Sequence, residues 1–416
     1  MSLLYPLVLP PAAGRSALAS THTLEVHNAL SDVPAAAWDA LVGDGCAFLE
    51  HAFLRGLERT GCVGGDSGWD PRYVLVRSNG ALVAALPVFL KSHSQGEFIF
   101  DFAWADAAQR AGLRYYPKLV VGAPFSPVAG PRCLLDTTRP DADALRGLLV
   151  DATRALARRE AASSVHWLFT TAEEATFLEA RGLGIRHTIQ FHWQNEGYRT
   201  FEDFINRFRS DRRNQIRRER RAVQTAGIVV SVVAGDQLTA ADEALAWACY
   251  TDTIEKFPWG QRYLNRSFFA HLFKHFRHRL LMVRADLDGR PVACTLNVHK
   301  GGHLYGRYWG CLEEHRHLHF EVCSYAGIEA AIGAGLQRFE AGAGGGGHKF
   351  GRGFLPQVVF SAHDIFLPAL DRAVRDFLVR ERASIAAELV AVEGHVLKPQ
   401  DLAILELSPE APGETP

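Results

Sequence analysis

The chain has 416 residues, 48% of them hydrophobic, and a formal net charge of -1 at neutral pH. That length and apolar content suit two ordinary domains with real cores and exclude a disordered chain, while the near-zero charge requires any polyanionic partner to be met by a local patch. Seven scattered cysteines with no C-x-x-C pair fit reduced thiols in a cytoplasm, not a disulfide framework or a zinc site.

The opening stretch "MSLLYPLVLPPAAGRSALAS" is apolar but lacks a basic leader, and Pro6, Pro10 and Pro11 interrupt it, so an untargeted irregular arm is expected. No apolar run approaches the length that crosses a bilayer. "RYVLVRSNGALVAALPVFL" reads as two strands joined at Asn79-Gly80, the pair a two-residue hairpin prefers. In "KSHSQGEFIFDFAW", His93, Glu97 and Asp101 stand in apolar company, and alternation puts Glu97, Ile99 and Asp101 on one face of a strand. A helix at about 141–160, the strand "SVHWLFT", a helix from 172 and the strand "IRHTIQFHW" follow.

The second half repeats this plan. "LLMVRADLDGRPVACTLNVHK" is a hairpin around Asp288-Gly289, "GGHLYGRYWG" a third strand, and a helix at about 319–334 leads to "LQRFEA", a glycine run and "QVVFSAH". Tandem copies of one α/β fold, mixed sheets flanked by helices, are expected over 23–195 and 196–395, with a mobile tail over 396–416. In "FEDFINRFRSDRRNQIRRERRAV", Phe201, Phe204, Ile205 and Phe208 share one helical face. From Arg207 to Arg221 eight arginines face only Asp211 and Glu219, so Arg212, Arg213, Arg217 and Arg218 are either a solvated face or a patch for phosphate.

The run "AGAGGGGHKFGRGF" satisfies G-x-G-x-x-G, but Gly351, Gly353 and Pro356 oppose the helix a dinucleotide fingerprint opens. No Ser or Thr follows Lys349, which excludes a nucleotide-hydrolase phosphate loop. A turn whose amides approach a ligand remains, alongside a plain connector.

"HAFLRGLERTGCV", "GWDPRY", "YYPKL", "PFSPVAGPR", "FHWQNEGY", "LYGRYWGCLEEHRHLHFEVCSYAGIEAAI" and "FEAGAGGGGHKFGRGFLP" together resemble the bacterial predicted N-acyltransferases with a double GNAT (acyl-CoA N-acyltransferase) fold, relatives of the Fem-type peptidoglycan aminoacyl transferases. The resemblance covers roughly residues 48–385. It implies transfer of an acyl group to an amine on a peptide or small molecule, from a thioester of CoA or of an acyl carrier protein. In the Fem-type relatives the donor is aminoacyl-tRNA, for which Arg212, Arg213, Arg217 and Arg218 are the candidate contacts. Two departures stand out. Gly347 occupies the place where the family's loop carries an acid before the His-Lys pair, and "CLEEHRHLH" lacks the Gln/Arg-x-x-Gly-x-Gly pyrophosphate signature.

Amide formation needs an uncharged amine, donors for an oxyanion and a proton source for the leaving group. Glu340, at a buried strand end, is the candidate base, with His348 as relay or acid and Glu321 in the first turn of the preceding helix. Arg316, His319, Gly345, Gly346, Lys349 and Arg352 are candidates for holding the carrier. His93, Glu97, Asp101, Tyr305 and Arg307 are candidates for the acceptor, with an interdomain ion pair as the alternative for the acids. The histidines of "EEHRHLH" do not make H-E-x-x-H, so no metal is expected. A noncatalytic recognition module is the reading from outside enzymes.

Overall fold

The computed structural model describes residues 4–6, 22–256, 260–344 and 346–392. The first half runs β1 (Leu4–Pro6), β2 (His22–His27), α1 (Ala35–Val42), α2 (His51–Arg59), β3 (Trp69–Pro71), β4 (Tyr73–Ser78), β5 (Ala81–Leu86), β6 (Val88–Lys91) and α3 (Phe102–Arg110). It continues through β7 (Lys118–Val121), β8 (Leu134–Leu135), α4 (Ala142–Arg159), β9 (Ser164–Thr170), α5 (Ala172–Ala180) and β10 (Gly184–Gln194). The second half runs α6 (Phe201–Ile205), α7 (Ser210–Thr225), β11 (Ile228–Ala234), α8 (Ala240–Glu255), α9 (Arg266–His275), β12 (Leu280–Leu287), β13 (Arg290–Lys300) and β14 (His303–Cys311). Then come α10 (Leu318–Phe320), a π-helical turn (Glu321–Tyr325), α11 (Ala326–Gly333), β15 (Arg338–Glu340), α12 (Gly346–Phe350), β16 (Leu355–Ile365) and α13 (Pro368–Val392).

Both hairpin turns form as their sequences dictate. Asn79 and Gly80 have φ of 49° and 82°, Asp288 and Gly289 of 51° and 73°, the left-handed pair that matches strand twist. The apolar alternation of each hairpin then sets which side chains enter which core. Among the described residues the strands make a five-stranded sheet, β1-β2-β4-β5-β8, and an eleven-stranded one, β11-β12-β13-β14-β15-β10-β16-β9-β7-β6-β3. The fold is mixed α/β, with helices on the sheets' faces.

At the centre the halves exchange strands. β10, which closes the first half, pairs with β15 of the second, and β16, which closes the second, pairs with β9 of the first. β10 and β16 join antiparallel between them, nine residue pairs from Gly184 with His363 to His192 with Leu355. The exchange makes one continuous sheet, so backbone hydrogen bonds, not side chains alone, hold the halves together.

Three expectations are corrected. The N-terminal arm is not irregular throughout, because Leu4–Pro6 pairs with Glu25–His27; the rest of it up to residue 21, and the tail over 396–416, lie outside the described residues. The arginine-rich helix is two helices broken at 206–209: Thr200 and Asp203 form a capping box that starts α6, and Arg209, in extended backbone, starts α7 afresh. The break lets Phe201, Phe204, Ile205 and Phe208 fill the same core as Ile216 and Val223. Glu97, Ile99 and Asp101 lie in an irregular segment, not a strand, although all three are buried.

Candidate active site

β14 and β15 run parallel for only three pairs, His303–Tyr305 against Arg338–Glu340, and then part. On β14's other edge the register with β13 skips Arg307, Leu296 facing Tyr308 and Asn297 facing Gly306. The skip is a bulge, so the backbone of Arg307 is outside both ladders at the point where the strands separate. It also shifts parity: Tyr305 and Tyr308, three apart, point into one core with Leu296 and the α8–α9 residues, while Leu304 and Phe339 point to the π turn and α11 on the opposite face. Gly310 lets α8 come this close, because a Cβ there would lie 2.0 Å from the carbonyl oxygen of Cys249.

The first half has the same parallel pair, β7 with β9, but its gap is filled. Arg132, wholly buried, donates to the carbonyls of Leu168 at 2.7 Å and Phe169 at 2.8 Å and to that of Val128. The chain's own guanidinium plugs that opening. In the second half the gap is open and joins two cavities. A cavity of about 510 Å³ between α12 and α13 shares no lining residue with those two.

On the α11 face of the gap a small cavity of about 100 Å³ is lined by Arg307, Trp309, His319, Cys323, Ala341, His348 and Lys349. Burial holds the His319 imidazole down to about 4, helped by the charges of His348, Arg352 and Lys349. Burial likewise lowers the Lys349 ammonium to about 8, and its Nζ donates to the Gly342 carbonyl at 2.6 Å. His348, exposed at the rim, is lowered too, by burial and by Lys349 and Arg352, and its ring lies 5.8 Å from that of His319. On the other face a cavity of about 530 Å³ is lined by Phe98, Phe125, Tyr250, Tyr263, Tyr308 and, again, Arg307, Trp309 and Ala341.

Glu340 ends β15 just before the gap and points away from Phe339, hence to the α8 face. It is 3% exposed, 3.0 Å from the Arg338 guanidinium, and neither carboxylate oxygen has a hydrogen bond of good geometry. Burial raises its carboxyl to about 7, against the pull of Arg338. Its ladder neighbours Tyr305 and His192 line, with Arg338, His303 and Cys46, a third cavity of about 310 Å³ between the halves.

The remaining expected residues fall elsewhere. Glu321 is buried and held by Arg220 at 2.9 Å, which also reaches Glu329 at 2.6 Å; burial raises its carboxyl despite Arg220. Arg352 is buried against Glu219 at 2.9 Å and lies 3.2 Å over the Phe320 ring. Both are engaged by the protein itself. Arg316 is exposed ahead of α10, and Gly345 lies outside the described residues. The glycine run is not without a helix: Gly346 opens the five-residue α12 and packs on Phe191, whose ring a Cβ would meet at 2.7 Å. Short helices tolerate glycine where the next turn is fixed by packing, here Lys349 and Phe354 going inside.

His93, Glu97 and Asp101 do not meet the gap. Lys118, fully buried, bonds Glu97 at 2.8 Å and Asp101, and Lys91 donates to His93 Nδ1 at 3.3 Å. Burial raises Glu97 to about 7 and lowers Lys91 to about 7; burial also works to raise Asp101, but Lys118 wins and holds it low. Of the arginines, Arg217 pairs with Glu202 at 2.7 Å and Arg212 packs on Gly351, 3.0 Å from where a Cβ would be. Arg213, Arg218 and Arg221 make no ion pair among the described residues, and it is Arg212 that touches the glycine turn. Sequence reading missed Tyr250, Thr253 and Ile254 as cavity walls; their i, i+3, i+4 spacing on α8 was the available signal.

A family model described as FemAB-like, peptidoglycan biosynthesis/recognition, matches residues 29–397. No curated protein matches the chain. Among solved structures, the C-terminal domain of a protein assigned as a lysylphosphatidylglycerol synthetase from Agrobacterium fabrum superposes with a TM-score of 0.50 at 10% identity, over 83% of this chain and 96% of that one. FemX gives 0.48 at 11% identity over 74% and 91%, and a tandem GNAT protein from the clavulanic acid biosynthesis pathway 0.42 at 15% over 88% and 99%. No helix among the described residues is long and apolar enough to cross a membrane, and no group of His, Cys, Asp and Glu among them is arranged to hold a metal.

Proposed function

Because the chain belongs to the FemAB-like family, we propose that this transferase passes an activated acyl group to an amine in the gap between β14 and β15. The observation that carries the reading is the shared wall: Arg307, Trp309 and Ala341 line cavities on both faces of the sheet, so an acyl carbon brought in by a carrier from one face is open at a bulged backbone to the other. The amine nitrogen attacks the acyl carbon, and the amide of Arg307, freed from its ladders, is placed to donate to the oxyanion. Glu340 takes the amine's proton directly or through water. As the bond from the acyl carbon to sulfur or oxygen breaks, Lys349 or His348 returns a proton to the leaving group. His319, held neutral, and exposed Arg316 border the carrier's path. Glu321 and Arg352 serve this site as braces: their ion pairs tie α7 to the helix and turn that form its rim.

A thioester donor, acyl-CoA, is the first reading. An aminoacyl ester on tRNA is the second, favoured by the arginines of α7, the helix whose Arg212 touches the glycine turn. Mass spectrometry of products from radiolabelled acyl-CoAs and aminoacyl-tRNAs with a small amine separates the two. If tRNA is the donor, the triple variant Arg213→Glu, Arg218→Glu, Arg221→Glu weakens its binding and reduces the slope of log affinity against log salt by about 2 units. An unchanged slope removes tRNA from consideration.

A further inference from the structure

We infer that the acyl group this chain transfers is a bulky apolar one, an aromatic or medium-chain group, lodged in the aromatic cavity on the α8 face. The inference rests on the transferase reading and names the substrate class at the same site. One room opens on the gap and another lies between the halves beside the paired part of β14 and β15, and the two differ in chemistry. The room of about 310 Å³ is lined by Arg338, the ion partner of the buried Glu340, and by its ladder neighbours His192 and Tyr305 with His303, polar groups that suit an amine. Among the described residues the wall of the room of about 530 Å³ has no acidic or lysine side chain, and their one charged group, Arg307, is turned to the carbonyl of Phe125 and over the rings of Phe48 and Tyr308. An ammonium-bearing acceptor finds ring faces there but no carboxylate and is repelled by Arg307, whereas an apolar chain gains the whole wall.

The wall is also rigid and continuous with the reacting point. Phe125 and Tyr263 stack at 5.2 Å and 12°, Tyr250 and Tyr308 meet edge to face at 5.5 Å, and the Thr253 hydroxyl donates to the Trp309 carbonyl at 2.6 Å, fixing the strand that the gap opens beside. An acetyl group bound at the gap leaves such a cavity unfilled, which forfeits contacts on every side. A longer chain projects from the carbonyl past Ala341 into it.

The test uses neutral amides, which carry the acyl group without carrier or acceptor. Calorimetric titration of the full chain with octanamide, phenylacetamide and acetamide is expected to show the first two at least about thirtyfold tighter than acetamide, given roughly fourfold per buried methylene. Thr253→Trp, which fills the room, and Ala343→Trp, at an exposed position on its rim, each reduce octanamide affinity at least about tenfold. Because Ala343 is exposed, that variant keeps its fold where Thr253→Trp loses it. Equal affinity for all three amides, or octanamide binding that both variants leave unchanged, overturns the assignment of the acyl group. Neither result touches the transferase reading, which fails separately if Glu340→Gln keeps wild-type turnover.

Discussion

Glu340→Gln lowers turnover by about 10²- to 10⁴-fold, the range expected when a positioned base is lost. The pH profile identifies the cause. Burial holds the Glu340 carboxyl up to about 7, so the ionised base, and with it the rate, rises with pH through that value in the wild type. The variant's residual rate lacks that rising limb. Stability moves in a matching direction. A carboxyl whose folded value is raised contributes stability below its unfolded value, near 4.5, and that contribution is lost as pH rises through about 7. Wild-type melting temperature therefore falls more steeply across that window than the glutamine variant's, which keeps the fall that Glu97 contributes. The difference is on the order of 3 kcal/mol at the alkaline end. Stopped-flow rates and thermal melts at matched pH check both parts.

Lys118→Met is the second large effect, on stability and not on the chemistry. The Lys118 ammonium is buried between Glu97 and Asp101 and donates to Oε2 of the first and Oδ2 of the second, while Oε1 and Oδ1 have no hydrogen bond. Removing the cation leaves two buried carboxylates face to face. The cost is about 3–5 kcal/mol, read as a lower denaturant midpoint with an unchanged slope. The triple change Lys118→Met, Glu97→Gln, Asp101→Asn recovers much of the loss, because no buried charge then lacks a partner. A midpoint for Lys118→Met equal to the wild type's contradicts the buried triad.

These two residues show what sequence disclosed and what it withheld. Hairpins at Asn79-Gly80 and Asp288-Gly289 were legible because left-handed turns demand those residues locally. Glu340 was legible as a carboxyl at the end of an apolar strand. The exchange of β10 and β16 was not, because either strand's alternation suits either neighbour and pairing is decided by contacts about two hundred residues apart. The same applies to charge. Glu321 read as a candidate for the chemistry, Arg352 for the carrier, and Glu97 and Asp101 for the acceptor or an ion pair, whereas their partners Arg220, Glu219 and Lys118 come from distant elements. The bulge at Arg307 left no mark either, since "YGRYWG" alternates well enough to pass for a regular strand. The family model, which spans 29–397, agrees with the resemblance read from the motifs.

The most direct test of the gap as reaction site is to close it. Ala341 lines the cavities on both faces, and Ala341→Trp places an indole where the carrier's carbonyl and the amine must meet. Product formation is followed by mass spectrometry with labelled acyl-CoA and aminoacyl-tRNA donors and a small amine, in the wild type and in this variant. Amide formed by the wild type from one donor class, and lost in a variant that melts as the wild type does, is the predicted result. Full turnover in a folded Ala341→Trp variant, or no amide from either donor in the wild type, would contradict it.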